Sequence, residues 1–202
     1  MAMIAAIVPA AGLSSRMGRP KLLLKIAGVP LIERVVQALI AGGVDRVLVV
    51  LGPATQEGAT EVARVAKEAG ASIEILEIPT ADMRATIERG INVLAASGIP
   101  PLGLMIVPAD SVGIRSELVR EVVGHFGSNP ERIVVPIREG RRGHPLLLPW
   151  REALQICTLP ANVGVNALLA LRNETLDLFP VVTAGHDADL DTPEDYTRWS
   201  NG

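Results

Sequence analysis

A small-residue run, Pro9-Ala10-Ala11-Gly12-Leu13-Ser14-Ser15-Arg16-Met17-Gly18-Arg19-Pro20-Lys21, follows the first apolar stretch of a 202-residue chain. Gly12 and Gly18 let the backbone approach a ligand with its N–H groups, Ser14 and Ser15 add hydroxyls, and Arg16 and Lys21 bring positive charge. That combination reads as a cradle for a polyanion such as a string of phosphates. The spacing is not that of the common nucleotide motifs. Five residues separate the two glycines and Lys21 does not directly follow Gly18, which excludes a Walker loop, and no G-x-G-x-x-G fingerprint is present. On composition alone, an ordinary strand-to-helix loop with incidental charges explains the run as well.

Carboxylates supply a second group. Asp110 stands just past an apolar run at residues 102–107, and Asp189 and Asp191 alternate along an extended stretch, so they face the same side. Such oxygen ligands suit a hard divalent cation, Mg²⁺, held against phosphates. Asp110 also reads as a helix cap or a solvated turn residue, and Asp191 as the cap of a helix starting at Pro193. Calcium is rejected for the string Asp187, Asp189, Asp191, because Thr192 stands where the calcium loop needs glycine and Arg198 where it needs glutamate. His144 lies next to a proline, a place where histidine is more often structural than catalytic.

Some framework must hold these groups together. Apolar runs rich in Val and Ile recur at residues 3–8, 46–51, 73–78, 102–107 and 132–137, apolar on both faces as buried parallel strands are. Helical spacing separates them: Leu31, Val35, Val36, Leu39 and Ile40 after Pro30, then residues 60–69, 82–96 and 116–126. This alternation predicts right-handed crossovers and a three-layer α/β/α sandwich, Rossmann-like, on a mainly parallel sheet, with ligands at the carboxyl ends of the strands. Past residue 138 the rhythm changes. A strand at 145–148, helices at 150–156 and 163–171, a strand at 176–182 and a terminal helix from Pro193 are expected, with residues 138–182 as a lid or subregion on the same sheet.

Composition narrows the partners. The length predicts a single domain, 1–202. Phe126, Trp150, Phe179, Tyr196 and Trp199 are the only aromatic residues, too few for stacking platforms, and a net charge of −3 carries no basic block for a polyphosphate backbone, so nucleic acid is excluded as a partner. No run reaches the roughly 18 apolar residues of a membrane span. The uncharged start at residues 1–13 lacks a basic n-region and is broken by Pro9 and Gly12, so it reads as a buried strand. Cys157 is the only cysteine, which rules out an internal disulfide and multi-thiolate zinc and suits a reducing cytoplasm.

The run Pro-Ala-Ala-Gly-Leu-Ser-Ser-Arg-Met-Gly-Arg-Pro-Lys-Leu resembles the signature loop of the MobA-like nucleotidyltransferases. It is most similar to their CTP:molybdenum-cofactor cytidylyltransferase branch, where Ala-Ala-Gly usually replaces the Ala-Gly-Gly of the guanylyltransferases. Asp110, Gly143-His144-Pro145 and the stretch from Asp189 to Asp195 fall in the family's order. The resemblance implies an NTP with its base near Ala10, Ala11, Gly12 and Leu13 and its phosphates along Ser14, Ser15, Arg16 and Lys21, with Thr86 also at the nucleotide. Arg16 and Lys21 become the catalytic cations, Asp110 with Asp189 or Asp191 the Mg²⁺ ligands, and Arg142 and His144 the acceptor side. The implied reaction is transfer of NMP, with CMP from CTP favoured, to a small phosphorylated acceptor by a monomer or small homo-oligomer. Departures are clear: Ala81-Asp82-Met83-Arg84-Ala85-Thr86-Ile87 replaces a serine-rich segment, Val112 replaces a proline, and residues 161–166 lack the branch's carboxylate and guanidinium.

Overall fold

Alternate residues of the first strand, β1 (Ile4–Ala10), point into two different cores: Ile4, Ala6, Val8 and Ala10 into one, Ala5 and Ile7 into the other. A strand apolar on both faces must be sandwiched, and it is. The computed structural model of the protein describes residues 3–12, 20–160, 163–181 and 188–200. After β1 come the short strands β2 (Lys25–Ile26) and β3 (Val29–Pro30), α1 (Leu31–Ala41), β4 (Arg46–Leu51), α2 (Ala59–Glu68), β5 (Ser72–Ile75), α3 (Met83–Ala96) and β6 (Gly103–Ile106). Then follow α4 (Ser116–Ser128), β7 (Ile133–Arg138), β8 (Arg141–Arg142), β9 (Leu146–Pro149), α5 (Trp150–Gln155), α6 (Val165–Leu171), β10 (Leu176–Pro180) and α7 (Pro193–Ser200).

The main sheet runs β10-β7-β9-β6-β1-β4-β5, with β8 paired to β7. All neighbours are parallel except β9, which is antiparallel to both β6 and β7, and the β7–β8 hairpin. Helices α1, α2 and α4 fill one core through Leu31, Val35, Val62, Val122 and Phe126. Helices α3, α5 and α6 fill the other through Ile87, Ile91, Leu94, Ala153, Leu168 and Leu169. Each of the Val, Leu, Ile and Phe side chains among these, fully buried, contributes roughly 1.5–3 kcal/mol relative to exposure. The expected α/β/α sandwich is therefore the observed one. Among the described residues, no helix is long and apolar enough to cross a membrane.

One expectation changes. The strand expected at 73–78 is the shorter β5 at the sheet edge, and it is not buried: Ile75 is 44% exposed, and Ile78, beyond the strand, 75%. An edge strand has a neighbour on one side only, so its apolar pattern overstates its burial. Within the stretch expected as a lid or subregion on the same sheet, 138–182, β9 lies between β6 and β7, and α5 and α6 cover a sheet face.

The strand order prepares a ligand site. From β1 the chain proceeds outward to β4 and β5, then returns to the other side of β1 as β6. The carboxyl ends of β1 and β6 therefore mark the reversal of strand order, where open α/β sheets bind ligands. Backbone pairing continues past β6, with Val107 N–H donating to the Ile7 carbonyl at 3.2 Å and Ala109 N–H to the Pro9 carbonyl at 3.3 Å. Asp110 is thereby delivered beside the end of β1.

Candidate active site

The turn carrying Asp110 is gripped by the chain's C-terminal region. Val112 N–H donates to the Ala188 carbonyl (3.1 Å), Leu190 N–H donates to the Asp110 carbonyl (2.9 Å), and Ser111 and Asp189 form an antiparallel bridge. Leu190 is fully buried, and the two-residue alternation of an extended chain then turns Asp189 and Asp191 outward. Val112 provides the N–H that the proline usual in the resembling family lacks.

Lys21 enters from a short 3₁₀ turn, Lys21–Leu23, pinned by the buried Leu22. Its Nζ donates to Asp110 Oδ2 at 2.6 Å and to Asp191 Oδ1 at 3.0 Å. The lysine and Asp110 side chains are only 14% and 19% exposed. Burial by itself would lower the ammonium's pKa, but the charge and hydrogen bond of Asp110, seconded by Asp191, outweigh it and hold Lys21 above its ordinary value. Asp189 accepts from Ser111 Oγ at 3.0 Å. Desolvation and then the charge of Asp110 push its carboxyl up to about 6, with Asp191 adding to the effect and Ser111 and Lys21 opposing it.

Asp110 and Asp191 thus share one ammonium, while Asp189, bonded to Ser111, is raised first by its own burial and then by the neighbouring carboxylates. The hard oxygen donors fit a divalent cation such as Mg²⁺ or Mn²⁺. Among the described residues no three His, Cys, Asp or Glu side chains stand together as a complete metal cage. A cation held by one or two carboxylates and completed by phosphate oxygens needs none.

The other expected site residues distribute as follows. Ala10 ends β1 opposite Leu51, and the Gly12 carbonyl accepts from Gln56 Nε2 at 2.8 Å. Leu13, Ser14, Ser15 and Arg16 lie outside the described residues, as do Asp187 and residues 161–162. Thr86, expected at the nucleotide, is 2% exposed, shares a hydroxyl–hydroxyl bond with Thr80 (2.7 Å) and donates to the Asp82 carbonyl (3.3 Å). A threonine in a first helical turn readily bonds back to the carbonyl four residues earlier, so this hydroxyl is turned into the protein. His144 is half-buried ahead of β9, whose Leu146 pairs with Ile106, and the exposed Arg142 pairs with Ile137 and donates to Asn173 Oδ1 at 3.2 Å. Both therefore emerge at the same sheet edge as Asp110. Gln56 and Ser111 were not anticipated. Ser111 adjoins an expected ligand, but Gln56 is 44 residues from its partner and carries no local signal.

Residues 6–177 match the model of the MobA-like NTP transferase domain. A protein of Bacillus cytotoxicus, described as a probable molybdenum cofactor guanylyltransferase, is 33% identical over 152 residues, covering 73% of this chain and 68% of its own. The Rv0371c protein of Mycobacterium tuberculosis, solved in complex with manganese, superposes with a TM-score of 0.74 at 21% identity over 99% of both chains. A CMP:2-keto-3-deoxy-manno-octonic acid synthetase complexed with CTP gives a TM-score of 0.76 at 16% identity, covering 98% of this chain and 97% of that one. The chain belongs to the MobA-like NTP transferase family and is a nucleotidyltransferase.

Proposed function

We propose that this protein, acting as one domain, transfers CMP from CTP to a small phosphorylated acceptor of the molybdenum-cofactor type, with Mg²⁺ as the cofactor and pyrophosphate as the second product. The observation that carries the reading is the Lys21 ammonium between Asp110 and Asp191 at the point where strand order reverses. It is a cation and a carboxylate set positioned together, and a metal–triphosphate would engage both.

An oxygen of the acceptor phosphate attacks the α-phosphorus in line, the α–β bridging bond breaks, and its electron pair leaves with pyrophosphate. An ionised acceptor has no proton to surrender, so the protein's task is positioning and charge stabilisation. Ala10, Ala11, Gly12, Leu13, Ser14 and Ser15 cradle the nucleotide, while Lys21 and Arg16 neutralise the charge that grows on the leaving group. Asp110, with Asp189 or Asp191, would hold Mg²⁺, which when bound would supply Lewis-acid neutralisation of phosphate oxygens. Arg142 and His144, at the same edge, face the acceptor.

Ala10-Ala11-Gly12 supports CTP. GTP is the second reading, favoured by the guanylyltransferase description of the 33% identical relative. The test is pyrophosphate release from CTP and GTP with Mg²⁺ and molybdopterin-type acceptor. The expected result is turnover with one nucleotide that falls by about 100-fold or more in Lys21→Ala and Asp110→Ala, as for loss of a charged stabilising group. Turnover at the wild-type rate in both variants, or none with any nucleotide, overturns the reading.

A further inference from the structure

The Gln56 side chain is oriented by a single contact. Its partner is the Gly12 carbonyl, which only accepts, so the atom 2.8 Å away is the amide nitrogen Nε2 and the side-chain oxygen must face the other way. That oxygen, Oε1, is buried and has no hydrogen-bond partner. A buried carbonyl without a donor is unfavourable and rare in native structures, and asks what completes it. A Cβ on Gly52 would lie 2.0 Å from Oε1, so the amide end of Gln56 packs directly against Gly52, just past β4. Gln56 lines a cavity of about 20 Å³ with Ala10, Gly12, Leu51 and Gly52, space for one small polar group.

We infer that Gln56 selects the nucleotide base, its Oε1 accepting a hydrogen bond from an exocyclic amine, so that the donor is an amino-bearing nucleotide and CTP is taken over UTP. The inference rests on the nucleotidyl-transfer reading above, and it deepens that reading at a residue 44 positions from the loop it braces. Cytosine and uracil have the same shape but reversed edges, an exocyclic amine donor beside an acceptor ring nitrogen in the first and an exocyclic oxygen beside a ring N–H in the second. Facing Oε1, the amine is paired while the oxygen is repelled. Guanine and hypoxanthine make the corresponding purine pair, with and without an amine.

The experiment measures affinities of the full-length protein, with Mg²⁺, for CTP against UTP and for GTP against inosine triphosphate. The wild type is expected to prefer the amino-bearing member of the pair it accepts by about 10- to 100-fold, as for a buried acceptor left unpaired. Gln56→Leu removes Oε1 and is expected to bring that ratio close to one. Gln56→Glu keeps an acceptor oxygen but loses the Nε2 donor to Gly12. It is expected to weaken both members together while keeping the ratio, which separates base selection from bracing of the loop. An unchanged ratio in Gln56→Leu, or no preference in the wild type, overturns the inference while leaving nucleotidyl transfer standing. Absence of binding by every nucleotide overturns both. Loss of the ratio in Gln56→Glu as well as in Gln56→Leu would reduce Gln56 to a structural brace and refute the inference too.

Discussion

Lys21→Met keeps most of the side-chain stem and deletes the ammonium, leaving Asp110 without its 2.6 Å partner and Asp191 without its 3.0 Å partner. Two unit charges 4 Å apart attract by about 4 kcal/mol at an effective dielectric of 20, and desolvation cancels much of that. The two side chains are 14% and 19% exposed, so the pair lies between surface pairs, worth about 0–1 kcal/mol, and buried ones whose breakage costs about 3–5 kcal/mol. The expected loss is about 2 kcal/mol, which for a chain of this size lowers Tm by roughly 4–8 °C. The pKa of Lys21 is raised above 10.5, so its stabilisation is fully present below that value and is lost only as pH rises through the raised one. Urea denaturation should therefore show a constant deficit from pH 7 to 9. Adding Asp110→Asn removes the stranded carboxylate and should restore part of the loss. A Lys21→Met variant as stable as wild type at pH 7.5, or a double variant that loses the sum of the two single effects, refutes the reasoning.

Asp189→Asn, which can still accept from Ser111, should make the ligand-free protein more stable at pH 7 by about 1 kcal/mol after discounting for solvent screening. The folded-state value of about 6 exceeds the ordinary 3.8, so the folded protein holds the extra proton between them and wild-type stability falls as pH rises through that window. The variant should lack that slope in pH-dependent urea denaturation; a wild-type slope in the variant would contradict the burial and neighbouring charge that raise Asp189. Gly103→Ala should destabilise by about 1–3 kcal/mol, because the new Cβ would meet the Phe126 ring at 2.6 and 2.7 Å and Phe126 is fully buried. A calorimetric Tm equal to wild type would show that the ring can move aside.

The elements of the sandwich were legible wherever periodicity reports burial. The helix at 82–96 appears as Met83–Ala96, with Asp82 capping it through Ala85 N–H at 2.8 Å, and 46–51 appears unchanged as β4. Periodicity does not report which strand is an edge, so 73–78 looked as buried as the centre of the sheet although Ile78 is 75% exposed. Nor does it report direction: β9 reads like any apolar strand, and only the register Leu146 opposite Ile106 shows that it runs antiparallel. In the site, Lys21, Asp110 and Asp191 were each legible as residue types, and the family resemblance paired the two carboxylates, but the direct ion pairs of Lys21 with both were not legible. Nor does the sequence report the local bonds of Thr86, whose hydroxyl meets Thr80 and the Asp82 carbonyl.

Contacts spanning 89 and 170 residues hold the Lys21 cluster together, so it exists only once the whole sheet is assembled. The family match ends at residue 177, which leaves Asp189 and Asp191 outside it. Their position is instead fixed by this chain's own packing: Leu190 is inserted into the core, and main-chain bonds join Ala188 to Val112 and Leu190 to Asp110. Two carboxylates are thus positioned by an apolar residue that has no chemistry of its own. The same logic governs the opposite side of the loop, where Leu22 in the core fixes the turn that aims Lys21. Because both anchors are buried in the same core as β1, the spacing between ammonium and carboxylates is set by the rigidity of the sheet and not by the loops themselves. A transferase that works by positioning charge requires that rigidity, and it explains why a site formed from loops can be precise.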